Sequence, residues 1–322
     1  MAFKTLHRIW HPDIAIDLGT STTRVAVVHR GYRFSAPSGS GEVPALAKGV
    51  IVNVDAATEA LRPALHHLRC WGVPHPRALA CAPTDASDAE RDAIRETCYG
   101  AGATAVILMP EPLAAALGDG VDYGSQLPTL VMDIGEGVTD CAVIRQGRLA
   151  GTFASRVACA DLHAAVRHAV YRFASVTITA RQAMGLVHAV GAAPPSLDPD
   201  GLPLLRFVTV PDRHLSEEVR IPVGVLEQAM EGVLERIIEA MHSLLIENTF
   251  LRNELQSLGS GILLSGGGAL IPGFASRISQ SVGLPVKVVK HPLDGVVLGA
   301  RRVLPIADQY DLWKRAVQST RF

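Results

Sequence analysis

The sequence predicts an α/β protein built as two related lobes, and three observations carry that expectation. A strand–turn–strand motif occurs twice, strands alternate with helices between and after the copies, and 322 residues exceed one average domain and suit two. Residues 14–28 read IAIDLGTSTTRVAVV and residues 130–144 read LVMDIGEGVTDCAVI. Laid side by side without gaps, Asp17 meets Asp133, Gly19 meets Gly135, Thr23 meets Thr139 and Ala26 meets Ala142. Each copy is an apolar strand, a tight polar turn and a second apolar strand, which is a β-hairpin with an acid where its first strand ends. A single Gly-turn hairpin is as often plain scaffold as a ligand turn. Two in matching register point to paired halves with a cleft between them.

The chemistry of these turns suits phosphate. Gly19 and Gly135 let the backbone come close to a ligand. Successive turn N–H groups form an anion nest, the hydroxyls of Thr20, Ser21, Thr22 and Thr23 add donors, and Gly137 and Thr139 are the expected phosphate-binding residues of the second turn. A carboxylate next to phosphate works through a cation, so Asp17 and Asp133 are expected to hold Mg²⁺ through its water shell.

Between the hairpins, residues 78–82 and 106–109 read as strands. Ser87 or Asp88 caps a helix that runs to about Tyr99 and stops at Gly100 and Gly102. Pro110-Glu111-Pro112 opens the next helix, with Pro112 suited to its first turn. Glu111 thus stands at a strand-to-helix junction, either as a cleft acid or as a plain helix-start acid favoured by the dipole. Beyond the second hairpin, helices are expected over residues 159–173, 180–190 and 224–251, the last with an apolar stripe that reads as core. Short strands are expected at 207–210, 218–221 and 261–264. The last runs into Gly266-Gly267-Gly268, where three glycines allow close approach to a planar ligand or phosphate.

Composition narrows the class. With 48% hydrophobic and 19% charged residues the chain can bury a large core, and a net charge of −1 argues against nucleic acid as a partner. No apolar run reaches the roughly 18–20 residues that span a bilayer. The start shows no signal-peptide core, so a cytoplasmic protein is expected. Cys70, Cys81, Cys98, Cys141 and Cys159 are odd in number and form no Cys-x-x-Cys pair, which points to reduced, buried thiols. The spacings of His66, His67, His163 and His168 suggest no metal site.

Taken in order, the segments resemble the actin, Hsp70 and sugar-kinase superfamily. Residues 17–23 are similar to its first phosphate motif, 133–140 to the second, 110–118 to the connecting helix with its catalytic acid, and 265–270 to the adenosine motif. KGVIVNVD (48–55), EPLAAALG (111–118), LLSGGGALIPG (263–273) and PLDGVVLGA (292–300) resemble the MreB family of bacterial actins. The resemblance implies an actin-like (ribonuclease H-like) fold with mixed five-stranded sheets flanked by helices. It also implies ATP or ADP with Mg²⁺ in the cleft, adenosine against Gly266, Gly267 and Gly268, and Glu111 as catalytic acid. Further implications are filaments made with itself or another MreB-like protein, a place at the inner face of the cytoplasmic membrane, and cell-wall synthesis proteins as partners. The matching division is a possible membrane segment at 1–12, a first lobe at 13–128, a second at 129–300 with a small subdomain at about 176–223, and a tail at 301–322.

Departures from the family pattern concentrate at the cleft. The small subdomain that the family carries after the first hairpin is reduced here to a loop at 31–47. Glu136 and Val138 stand where the family has glycine and threonine, and Cys159-Ala160 where it has Gly-Asp. Met184, Gly185 and Val187 replace Glu, Glu and Lys. A carboxylate at Glu136 would repel terminal phosphates by about 4 kcal/mol at 4 Å for an effective dielectric of 20. These losses imply an ATPase that is weak at most. A pseudo-actin adaptor that does not polymerise, or a kinase- or chaperone-like relative, is the competing class. Membrane contact is expected at two places. One is the basic amphipathic start, with Phe3, Leu6 and Trp10 at helical spacing, and the other is the apolar loop at Trp71.

Overall fold

A computed structural model describes residues 14–27, 33–39, 44–68, 76–122, 124–193, 205–212, 217–248, 253–254 and 261–304. The first lobe runs through strands β1 (Ile14–Leu18), β2 (Thr22–Val27) and β3 (Arg33–Pro37), then the short pair β4 (Leu46–Ala47) and β5 (Val50–Ile51). Helix α1 (Val54–Leu68), β6 (Arg77–Ala82), α2 (Asp88–Ala101), β7 (Ala105–Pro110) and α3 (Glu111–Asp119) follow. The second lobe holds β8 (Thr129–Ile134), β9 (Thr139–Arg145), β10 (Arg148–Ser155), α4 (Cys159–Ala174) and α5 (Ala180–Val190). After them come the hairpin β11 (Phe207–Asp212) and β12 (Glu217–Pro222), the long helix α6 (Val223–Glu247) and β13 (Ile262–Ser265). The described chain closes with a 3₁₀ turn (Gly267–Leu270), α7 (Phe274–Val282), β14 (Val286–Val288) and α8 (Gly295–Val303).

Both lobes fold the same way. Their five-stranded sheets have the orders β3-β2-β1-β6-β7 and β10-β9-β8-β13-β14. In each, the first two pairings are antiparallel and the last two parallel. The repeat holds to the residue: Asp17 faces Arg24 and Leu18 faces Thr23 across one hairpin, and Asp133 faces Asp140 and Ile134 faces Thr139 across the other. Central strands buried on both faces explain the unbroken apolar runs, such as Ile14, Ala15 and Ile16, all fully buried.

Local signals fix the connecting helices. Ser87 Oγ accepts a hydrogen bond from the Glu90 amide, and the Ser87 amide donates to the Glu90 carboxylate, so a capping box starts α2; Gly102, left-handed at φ 111°, ends it. Pro112 lies in the first turn of α3, and Gly120 at φ 99° closes that helix. Three apolar cores result, one in each lobe and a third between them. The third is built by Leu113–Leu117 of α3 against Val296, Val297, Leu298 and Ala300 of α8. These two helices cross with glycines at the contact. A Cβ on Gly299 would stand 2.7 Å from both the Ala114 carbonyl carbon and the Gly118 nitrogen.

Two expectations need correcting. The segment 31–47 is not a loop throughout, since residues 33–37 form β3, which pairs with β2 at the sheet edge and packs Phe34 on the first-lobe core. Its Pro37 stands at the strand end, where the missing N–H breaks no ladder bond. Only the eight residues 38–45 then join β3 to β4, too few for a subdomain. The long helix ends at Glu247, not near Leu251. Cys81, Cys98, Cys141 and Cys159 are free and buried, whereas Cys70 lies outside the described residues.

Candidate functional site

The hairpin turns face each other across a cavity of about 260 Å³ between the lobes. The first lobe lines it with Asp17, Gly19, Thr20, Ser21, Thr22 and Glu111, and the second with Asp133, Gly135, Glu136, Gly137, Gly266 and Gly267. The strand ends place the two acids and the left-handed turn at Gly266 (φ 82°) brings the chain back beside them. Thr20 Oγ1 accepts a 2.8 Å bond from the Gly49 amide. A Cβ on Gly137 would lie 2.6 Å from that same nitrogen, so the opposing turns meet in a contact only glycine permits.

Two expected site residues lie elsewhere. Thr139 is fully buried and its hydroxyl donates to the Val157 carbonyl at 2.8 Å, so it braces the second turn and does not face the cavity. Its repeat partner Thr23 is likewise buried, bonded to Ser38 at 2.9 Å. Gly268 packs on Ile134, where a Cβ would come within 2.6 Å of the Ile134 Cβ, and it does not line the cavity. Phe3, Leu6, Trp10 and Trp71 lie outside the described residues. Glu136 lines the cavity, and its carboxylate lies 3.1 Å from His163 Nδ1 of α4. Met184 also lines the cavity, adding apolar surface on the second-lobe side.

The cavity floor is rich in acid. Burial pushes Asp17 up to about 7 against the pull of Arg24, and Asp133 up to about 6 against Ser265 and Arg24. Burial, and then the charges of Asp17 and Asp133, hold Glu111 well above the ordinary carboxylate range. Asp133 Oδ1 is buried with no hydrogen-bond partner among the described residues. A floor of this kind is short of positive charge, and an orphaned buried carboxylate oxygen is costly. These residues fit a divalent cation. Among the described residues no group of three or more His, Cys, Asp or Glu is arranged to cage one directly.

Polar contacts between the lobes ring the cavity. Asp140 accepts from the Thr84 amide at 2.7 Å and its hydroxyl at 2.5 Å, and burial pushes its carboxyl up to about 8 despite both. Lys48 Nζ reaches Asp161 at 2.5 Å, while Arg156 joins Asp85 at 2.8 Å and donates to the Lys48 carbonyl at 2.6 Å. Asp140 escaped the sequence reading, although the repeat itself sets it opposite Asp133. The cavity-facing Arg24 also escaped it: Nη1 lies 3.6 Å from Asp17 and Nε lies 3.5 Å from Asp294, which Arg33 shares at 3.3 Å.

Comparison with known proteins agrees with this construction. The chain is 27% identical to the cell shape-determining protein MreB of Escherichia coli (strain K12), covering 95% of this chain and 97% of that one. It is 27% identical to the cell shape-determining protein Mbl of Bacillus subtilis (strain 168), covering 92% and 97%. Among solved structures, MreB5 of Spiroplasma citri bound to ADP superimposes with a TM-score of 0.80 at 22% identity, covering 93% of this chain and 98% of that one. The MamK double helical filament does so with a TM-score of 0.71 at 19% identity, covering 92% and 99%. Both share its two-lobed, actin-like fold. The profile of the MreB/Mbl protein family matches residues 42–311, most of the chain, and the chain therefore belongs to the MreB/Mbl family of actin-like proteins.

Proposed function

We propose that this chain binds ATP or ADP with Mg²⁺ between its lobes and works as a cell-shape cytoskeletal protein. The observation that carries the nucleotide reading is the pair of matched turns meeting over Asp17 and Asp133, with Asp133 Oδ1 left without a hydrogen-bond partner among the described residues. Support comes from MreB5, which has been solved with ADP and with AMPPNP. The phosphates would rest on the amides and hydroxyls of residues 19–22 and on residues 135–137. Adenosine would lie against Gly266 and Gly267, and Asp17 and Asp133 would hold Mg²⁺ through water. The cation supplies charge neutralisation for the phosphates when bound. Burial and the charges of Asp17 and Asp133 disfavour the carboxylate form of Glu111, and Val138 offers no hydroxyl where a water would be positioned, so ATP turnover would be weak or absent. Titration with ADP and ATP in Mg²⁺ tests the reading. Saturable binding weakened by Asp133→Asn is expected, and no saturable binding of either nucleotide overturns it.

Support for assembly is the family membership and the likeness to a filament-forming neighbour. The chain would join itself or another MreB-like protein in filaments at the inner face of the cytoplasmic membrane, near cell-wall synthesis proteins. A second reading, an adaptor that does not polymerise alone, is favoured by the eight-residue β3–β4 connection, which leaves no subdomain there to make filament contacts. Electron microscopy with ATP, with and without liposomes, separates the two. Liposome binding unchanged by deleting residues 1–10 and by Trp71→Ala would remove the membrane anchors from the proposal.

A further inference from the structure

Arg24 has no role in the cleft described so far, although its repeat partner is an acid. The shared hairpin register sets Arg24 across from Asp17 where the second lobe sets Asp140 across from Asp133. Cross-strand partners project from the same face of a hairpin, so Arg24 shares the cleft floor with Asp17. It is the single basic side chain lining the cavity among the described residues, against the acids Asp17, Glu111, Asp133 and Glu136.

Its present bonds are loose. Contacts of 3.6 Å to Asp17 and 3.5 Å to Asp294 are longer than the 2.7–2.9 Å of a charge-assisted hydrogen bond. The guanidinium fork matches two phosphate oxygens at once, so a phosphate entering the cavity offers shorter bonds than either carboxylate gives. Asp294 competes with a phosphate for Arg24, and it keeps a partner when Arg24 turns away, because Arg33 pairs with its other oxygen at 3.3 Å. Release at Asp17 leaves that carboxylate open to a cation.

From this juxtaposition we infer that Arg24 is a phosphate-binding residue of the cleft and a resident positive charge that lets the protein hold a nucleoside di- or triphosphate without a divalent cation. The inference rests on the nucleotide reading above and adds to it which side chain grips the phosphates and how far the grip depends on metal. A merely structural Arg24 would neutralise Asp17 and Asp294, and its loss would change stability with no effect on metal dependence.

The test measures the affinity of a fluorescent ADP analogue for the full chain, in excess Mg²⁺ and in EDTA. Wild type should bind in both, and Arg24→Leu should weaken binding in EDTA by about ten- to a hundredfold, the worth of a hydrogen bond to a charged group, and much less in Mg²⁺. Arg24→Lys, which keeps the charge and loses the fork, should fall between. Asp294→Asn frees Arg24 from a competitor and should tighten binding in EDTA, an opposite effect that remains informative if Arg24→Leu fails to fold. An Arg24→Leu variant with the wild-type ratio of affinities in Mg²⁺ and EDTA overturns the inference alone, as does Asp294→Asn with no gain. Wild type that binds no nucleotide in Mg²⁺ overturns the nucleotide reading and the inference with it.

Discussion

Gly299→Ala tests how the lobes are joined. Alanine normally stabilises a helix interior over glycine by about 1 kcal/mol. At Gly299 the added methyl would strike the Ala114 carbonyl oxygen, the nearest atom, and lie 2.7 Å from the Ala114 carbonyl carbon and from the Gly118 nitrogen, at least about 1 Å short of ordinary contact. The obstacle is the backbone of α3, so no side chain can swing aside, and α3 and α8 must separate. Overpacking of this kind costs about 1–3 kcal/mol, and the rigid backbone neighbour puts Gly299 at the upper end. Net destabilisation of about 2 kcal/mol is expected, after the propensity gain is subtracted. Gly232→Ala in α6 is the control, since nothing lies within 4 Å of its Cβ and propensity alone should stabilise it. Urea unfolding of both variants reads the contrast. If Gly299→Ala proves as stable as Gly232→Ala, the tight crossing of α3 and α8 is not what ties the lobes together.

Other outcomes follow from the same structure. Ser87→Ala removes the capping box of α2 and should cost about 1 kcal/mol in urea unfolding. Asp140 is buried with its carboxyl raised to about 8, so the folded chain holds a proton that the unfolded chain releases from about pH 4 upward. Stability should therefore fall as pH rises from about 4 through 8, by at most about 6 kcal/mol from this group, and Asp140→Asn should flatten that part of the thermal-stability profile. Arg156→Met cuts the contacts to Asp85 and the Lys48 carbonyl and should speed proteolysis or hydrogen exchange around Lys48 and Gly49 while leaving the second-lobe core protected.

The parts legible in the sequence were those whose signals are local. Short apolar runs meeting the turns at Gly19 and Gly135, the Ser87 cap and Pro112 each act within a few residues, and each stands where expected. The edge strand β3 was hidden because RFSAP has one large apolar residue, Phe34, and lies among Gly, Ser and Pro; it is a strand because β2 offers a free edge to pair with. Thr139 misled because its hydroxyl looked available next to the turn, whereas the register turns it into the sheet interior. Lys48–Asp161 and Arg156–Asp85 bridge distant stretches of chain, and no local pattern marks such partners. Arg24 and Asp140 sat in plain view within the repeat, yet their importance depends on cross-strand register, which a hairpin motif alone does not state.

Two lobes with one topology give the cavity two walls of matching plan, and matching walls alone would be indifferent to which way round an elongated guest lies. The substitution pattern at one register position removes that indifference. Opposite the first-lobe acid stands a cation, and opposite the second-lobe acid stands another acid already spent on Thr84. A guest with one anionic end meets a cation at Arg24 and none at the matching position of the second lobe, so the cavity is polar in the sense of a vector. A duplicated scaffold acquires a head and a tail through a single pair of facing residues, with no change to its backbone plan.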